Sequence, residues 1–168
     1  MAFTLSAIFQ QAMINPLLNA SWTTAKPTTY GSLSADAIKV ALFGNSGTPD
    51  KTASAANTCY AVGQWVTGNE TNGGANWPAG GLAVASKTFT IDTGSSSICF
   101  SAASLAGTGN VTVTAAYGCL VYDSTITSPA SQGLCFNYFG GSQSVTAGTF
   151  TIIWATVGAT TAIFNVVV

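Results

Sequence analysis

The residues that could carry out acid–base chemistry in this sequence are few. General acid–base catalysis usually relies on His or on two close carboxyl groups, and the chain has no His and five acidic residues. These are Asp36, Asp50, Glu70, Asp92 and Asp123. Asp50 and Asp123 directly adjoin Pro49 and Ser124, and Asp92 lies two residues before a Gly in a predicted turn, where Asp commonly accepts local hydrogen bonds. Any two could meet in space as a glycosidase-like pair, but no spacing indicates one, and we expect no catalytic residues.

The other reactive groups are four thiols. They belong to Cys59, Cys99, Cys119 and Cys135. A cysteine nucleophile would lack its His partner, and the wide spacings contain no C-x-x-C motif of the kind that binds zinc or an iron–sulfur cluster. The last three lie in apolar, strand-like runs, which favours buried thiols. In an extracellular chain two of those three could instead form a disulfide.

Sequence motifs for cofactors and metals are also missing. The chain has no P-loop, no G-x-G-x-x-G and no G-x-S-x-G. Turn Asp side chains could hold calcium, but no D-x-D-x-D run supports a calcium loop. We therefore expect a protein that is not an enzyme, with no cofactor and no metal.

The scarcity of charge is the strongest compositional signal. Charged residues make up 5% of the chain and the net charge is −1, whereas about 25% is typical of a soluble domain. Thr, Ser, Asn and Gly must then cover much of the surface, and such groups lose far less on burial than ions do. This composition favours a chain that packs against other chains. The alternative is a secreted monomer with a Ser- and Thr-rich surface.

Composition also bears on nucleic acids, membranes and export. The only cations are four scattered lysines, so neutralisation of nucleic-acid phosphates is not expected. The apolar stretches stop well short of the roughly 18 residues that a spanning helix needs. Residues 1–20 lack a positive start and are interrupted by Gln10, Gln11, Asn15 and Pro16, so we interpret them as mature protein rather than a signal peptide.

The N-terminal segment has helical periodicity. Apolar residues recur over residues 3–15 at the spacing of one helix face, and the Asn15-Pro16 pair would end the helix. The members of that face are Leu5, Ile8, Phe9, Ala12 and Met13. The helix, followed by Trp22, could pack on its own domain or dock on a neighbouring subunit as an arm. We assign residues 1–36 to this helix and arm.

Residues 37–168 show a β pattern and are assigned to one domain. Ile38, Val40 and Leu42 alternate along an opening strand. Further strands are predicted at 82–86, 88–92, 97–101, 110–115, 118–122, 134–139, 149–155 and 162–168. About nine short strands separated by turn signals predict an antiparallel β-sandwich or a barrel-like fold.

A long irregular connection separates the first strand from the rest. Residues 44–81 are rich in Gly, Asn and Thr, and one or two helical turns are expected around Tyr60, Val62 and Trp65. Trp65 and Trp77 are the expected anchors of this segment. An alternative hypothesis places the same two side chains, with Tyr60, on the surface to stack on sugars.

The order of several short motifs resembles a known group of proteins. These motifs are IKVALF at 38–43, YAVGQW at 60–65, NE at 69–70, WPAGG at 77–81, AYGCLVYD at 116–123, FNYFGG at 136–141 and GTFTI at 148–152. Together they resemble the small structural proteins of tailed bacteriophages, with Phe43 where that group has Tyr. The resemblance spans residues 38–168 and brings no catalytic residue with it.

The resemblance implies a virion protein assembled in the cytoplasm of a bacterial host. We expect a capsid decoration protein, or another minor capsid protein, whose partners are the major capsid protein and copies of itself, commonly as a trimer. The expected interface residues are Leu5, Ile8, Phe9, Met13, Trp22, Trp65 and Trp77. Two alternatives remain open, a tail or fibre module that recognises a host glycan and a secreted, disulfide-linked β-sandwich.

Overall fold

The architecture is known from a computed structural model, which describes residues 6–9, 33–157 and 160–167. The described residues form three antiparallel sheets, of six, three and two strands. The prediction of a mainly β, sandwich-like chain of antiparallel strands is confirmed.

Two long strands that form a hairpin lie side by side in the largest sheet. Strands β7 (Leu105–Thr127) and β8 (Ala130–Ile152) each contain 23 residues and turn at Ser128 and Pro129. Their register shifts at several points, for example between Ala116 and Gly118. Such bulges bend a two-stranded ribbon and strengthen its twist, so the long hairpin can curve where it extends beyond the other strands of the sheet.

The remaining strands of this sheet add to one half of the hairpin. Strand β2 (Ile38–Phe43) pairs with β7 over residues 118–123. On the other side of β2 lie two short strands, β3 (Glu70–Thr71) and β4 (Leu82–Ala83). Because it has neighbours on both sides, β2 is a central strand. Strand β1 (Ala7–Ile8) pairs with the outer side of β8.

The connection from β2 to β4 consists mostly of short helical turns and loops. It contains a one-turn helix α1 (Ala55–Thr58) and three 3₁₀ turns at Gly63–Trp65, Thr67–Asn69 and Gly74–Asn76. The helical turns expected near Trp65 are therefore present. No described helix is long and apolar enough to cross a membrane.

Two smaller sheets complete the fold. One joins β5 (Thr88–Asp92), β6 (Ser97–Ser101) and β11 (Phe164–Val167), with β6 in the middle. The other is the pair β9 (Ala155–Val157) and β10 (Thr160–Ala162). The bounds predicted for β5 and β6 agree with the structure.

Alternation along the central strands buries both faces of the large sheet. Ile38, Val40 and Leu42 belong to the larger core cluster, as their shared face predicted. Ala41 and Phe43 belong to a second cluster on the opposite face. The sequence suggested one covered face, but the N-terminal strand and the 60–65 segment supply cover for the other.

The prediction of an N-terminal helix over residues 3–15 is wrong for residues 6–9, the part of it that the structure describes. Residues 7–8 are extended, and the backbone N–H of Phe9 donates to the carbonyl of Leu134. Helical spacing of apolar residues signals only which side chains are to be buried. Here the open edge of β8 provides backbone hydrogen bonds to this segment, so β1 belongs to the β domain rather than to a separate arm.

Four predicted strands also merge into two. Residues 110–115 and 118–122 are parts of β7, and residues 134–139 and most of 149–155 are parts of β8. The apparent breaks are irregularities inside the strands, with positive φ at Ala115 and Gly140. A glycine in a strand often marks such a bulge rather than a turn.

Candidate interaction surfaces

The expected interface residues fall into two groups. Ile8, Phe9, Trp65 and Trp77 lie in the described chain, whereas Leu5, Met13 and Trp22 lie outside it. Phe9 and Trp77 have no exposed surface and Trp65 is 1% exposed. These three side chains are therefore inside their own domain, and their assignment to a contact with another molecule is wrong.

Phe9 and Trp65 form an aromatic cluster on one face of the large sheet. The ring of Phe9 lies 6.0 Å from that of Trp65 and 5.4 Å from that of Phe136. The ring of Phe43 meets Trp65 edge-on at 5.0 Å. Such aromatic pairs add about 0.5–1.5 kcal/mol to the burial of the rings. The cluster thus fixes the N-terminal strand and the 3₁₀ turn at Trp65 onto the sheet.

Trp77 anchors the second half of the long connection. Its ring meets Phe150 edge-on at 5.4 Å, within the larger core cluster. Gly73 and Trp77 close the loop through a backbone hydrogen bond of 2.8 Å. The anchoring role expected for Trp65 and Trp77 is confirmed, and neither side chain is accessible to a sugar.

Tyr60 is also occupied within the chain. Its ring stacks on Tyr122 at 4.8 Å, and its hydroxyl donates to Glu70 at 2.7 Å. The other oxygen of Glu70 accepts the backbone N–H of Gly80 at 2.7 Å. Burial, followed by the hydrogen bond and the charge of Glu70, raises the pKa of the Tyr60 hydroxyl. We name Tyr60, Glu70, Gly80 and Tyr122 the tyrosine clamp, since they tie the loop to the sheet.

One pair of carboxyl groups does meet in the fold. Asp123 has no exposed surface, and its Oδ1 accepts the backbone N–H of Thr125 at 2.8 Å. Asp36 lies close enough for its charge to act on this carboxyl, and no donor among the described residues reaches the Oδ2 of either carboxyl. Burial, with the charge of Asp36 adding to it, raises the pKa of Asp123. The carboxyls of a glycosidase must both face the sugar, whereas Asp123 has no exposed surface, so we interpret this pair as structural.

The cysteines are buried free thiols. Burial raises the pKa of Cys119 to about 12 and also raises that of Cys135. Nucleophilic attack and metal binding need the thiolate, and burial suppresses it here. Among the described residues, no three His, Cys, Asp or Glu side chains are grouped so as to hold a metal ion.

The clearest exposed feature is the outer edge of an apolar face on the three-stranded sheet. Facing positions across β5, β6 and β11 form two apolar rows on one side of that sheet. The rows are Phe89, Phe100 and Phe164, then Ile91, Ile98 and Val166. Phe100 is fully buried, whereas Phe89 is 51% exposed and Ile91 is 75% exposed. We name these six residues the β5 face.

Two other exposed features lie on and beside β8. Ile153, just past the end of that strand, is 76% exposed. A groove of about 580 Å³ runs along β8, with Tyr138, Gln143 and Phe150 in its lining. Phe150, Ile152 and Trp154 point inward and alternate with exposed Thr149, Thr151 and Ile153, as the sequence predicted.

Sequence reasoning found the strands of the β5 face but not their exposure. The sequence TFTID predicts a strand without saying which of its edges or faces will be covered. The one available signal was the lack of any charge between Lys87 and Asp92. The last strand, β11, also carries no charge, and β6 pairs with it.

Comparison with known proteins adds no relative to this description. No protein-family profile, curated protein or solved structure matches the chain.

Proposed function

We propose that this chain is a structural protein of a bacteriophage particle, a decoration protein that binds and stabilises the outer surface of the head as an oligomer. The order of its sequence motifs resembles that of small structural proteins of tailed phages, and this resemblance is the reason for proposing a phage particle. The supporting physical argument concerns the surface and does not depend on that resemblance.

The observation that carries the proposal is a surface with few ions and exposed apolar strands. Only nine of the 168 residues carry a charged side chain. Ile91, Ile153 and Val167 are each more than 70% exposed. Apolar contact contributes roughly 25 cal/mol per Å², and uncharged hydroxyls cost little to desolvate. Such a surface favours a permanent place in an assembly.

Buried functional groups support a structural role over a catalytic one. Asp123 and the four thiols are buried, and the tyrosine clamp holds a loop. These arrangements stabilise the fold and keep these groups away from a substrate. The glycan-binding alternative loses the two tryptophans on which it depended, because both are buried.

The test is binding to shells assembled from the major capsid protein of the same source. Sedimentation of shells with increasing amounts of this protein should reach saturation at a fixed ratio of copies to shell subunits. Cryo-electron microscopy of the saturated particles should then place the copies on the outer face of the head. Density at the tail would refute the head assignment, and no binding at any concentration would refute the proposal.

The N-terminal segment needs a different experiment from the one its sequence suggests. A helical arm could be deleted with residues 1–22 while the domain stayed folded. The structure places Phe9 in the core and pairs β1 with β8, so that deletion removes a strand and a core ring. Loss of shell binding by such a truncation would therefore report unfolding rather than a contact.

A further inference from the structure

Strand β5 has one unused backbone edge in the described structure. Within the part of the chain that the structure describes, β5 pairs with β6 and with no second strand. Thr88, Phe89, Thr90 and Ile91 are all exposed. An edge of this kind offers a row of backbone N–H and C=O groups to another chain.

The usual protections against edge pairing are missing from this strand. Natural edges carry charged side chains, proline or a bulge, whereas the TFTI sequence of residues 88–91 has no charge and no proline. Its pairing with β6 runs in unbroken register from Thr88 to Asp92. The strand is therefore regular and open to a partner.

The charges beside this segment do not interrupt it. The ammonium of Lys87 donates to the carbonyl of Asp36, and the Oδ1 of Asp92 accepts the backbone N–H groups of Gly94 and Ser95. Asp92 is only 8% exposed. Both charges are therefore engaged within their own chain, and neither lies between Thr88 and Ile91.

The exposed apolar side chains make the strand complementary to itself in the antiparallel direction. Residues directly opposite in an antiparallel pair lie on one face. If Thr90 faces Thr90 of the second copy, then Phe89 faces Ile91 of that copy and Ile91 faces its Phe89. The two most exposed members of the β5 face would then cover each other.

We propose that β5 is a self-association site at which two copies pair antiparallel about a two-fold axis through Thr90. The two three-stranded sheets then become one continuous sheet of six strands, with both apolar rows on the same side. The partner is a second copy of this chain. The inference rests on the proposed function in one respect, since packing on a particle keeps copies close enough for a short contact to form.

The contact is small, so it is weak between free molecules. A stable complex usually buries about 1,600 Å² in total, and one five-residue strand supplies only part of that. We expect reversible dimers in the micromolar range, which crowding on a shell converts into full occupancy. The two-fold pairing joins copies in pairs and is distinct from the three-fold contacts of a trimer.

The first test introduces a charge beside the axis, where Ile91 would face Phe89 of the second copy. Ile91→Lys should raise the dimer dissociation constant about tenfold or more, because it removes apolar contact at two symmetric places and adds like charges. Ile153→Lys is the matched control, since Ile153 is 76% exposed and Ile91 is 75% exposed. Sedimentation equilibrium over a concentration series measures both. Equal effects of the two variants, or a wild-type chain that stays monomeric at millimolar concentration, would overturn the proposal.

The second test reads the register directly. Antiparallel pairing about Thr90 places the two Thr90 Cα atoms about 4.5–5.5 Å apart, within the range of about 4.4–6.8 Å that a disulfide spans. The two Thr88 residues are offset by four positions, about 13 Å. Mild oxidation should therefore cross-link Thr90→Cys and not Thr88→Cys, while the buried native thiols stay unlinked. Cross-linking of Thr88→Cys alone, or of neither variant, would overturn this register.

The two proposals fail separately. A wild-type chain that saturates shells but stays monomeric in solution at millimolar concentration would refute the β5 site and leave the shell-binding proposal intact. Specific Thr90→Cys dimers with no affinity for shells would do the reverse.

Discussion

Replacing Phe9 with Ala measures how firmly the N-terminal strand is bound to its own domain. Phe9 is fully buried and its ring contacts those of Trp65 and Phe136. Buried Phe→Ala substitutions cost about 3–5 kcal/mol. We expect the upper half of that range, because two aromatic contacts are lost with the ring. Since domains are stable by about 5–15 kcal/mol, the variant should be close to its unfolding threshold.

The assay is urea unfolding followed by tryptophan fluorescence, with a shift in the midpoint and an unchanged slope. Phe89→Ala is the matched control, because Phe89 is 51% exposed and contacts Phe100 at a ring distance of 6.0 Å. Its loss should stay near or below about 1 kcal/mol. A Phe9→Ala loss as small as that of the control would refute the packing of the N-terminal segment on the sheet. It would also restore the interface role that the sequence suggested.

Three further perturbations test other parts of the fold. Gly81→Ala should cost more than about 2 kcal/mol in urea unfolding, because φ is +74° and a Cβ would collide with the Val40 carbonyl; Gly68→Ala, with open space around it, should be nearly neutral, and equal losses would contradict the close approach. Asp123→Asn should flatten the dependence of stability on pH. Burial raises the folded-state pKa of Asp123, so the contribution of this group to stability is fully present below its unfolded-state pKa and is lost as pH rises through the folded-state pKa; an equally steep profile in the variant would contradict the assignment. Tyr60→Phe should cost about 1.5–3 kcal/mol, the usual value for a hydrogen bond to a charged group, and hydrogen exchange at the Gly80 amide should accelerate; an unchanged rate would contradict the clamp.

Local patterns predicted the elements that depend on alternation. The apolar positions of β2, the bounds of β5 and β6, and the inward set at Phe150, Ile152 and Trp154 follow from a period of two residues. Each is decided by neighbours within one strand. The two tryptophan anchors were predictable for a related reason, since large rings in a long connection are usually buried beneath it.

Predictions from local periodicity were wrong where the structure depends on pairing between residues distant in sequence. Periodicity in the N-terminal segment identified Phe9 as a residue to be buried but gave the wrong backbone conformation, because the free edge of β8 lies more than 120 residues away. The strand breaks predicted near Ala115 and Gly140 are bulges whose pairing continues on both sides. A residue's tolerance of positive φ does not say whether its strand ends there.

The sequence by itself determined that this chain is β-rich, nearly free of charge and without catalytic or metal-binding motifs. These properties depend on composition and on spacing over a few residues. Only the tertiary structure decided which apolar side chains lie inside and which remain on the surface. Phe9 and Phe89 are both aromatic residues in short strands, yet one is covered by the sheet's second face and the other lies on an open edge. Solvent exposure depends on which distant strands pair and pack, and that arrangement is a property of the whole chain.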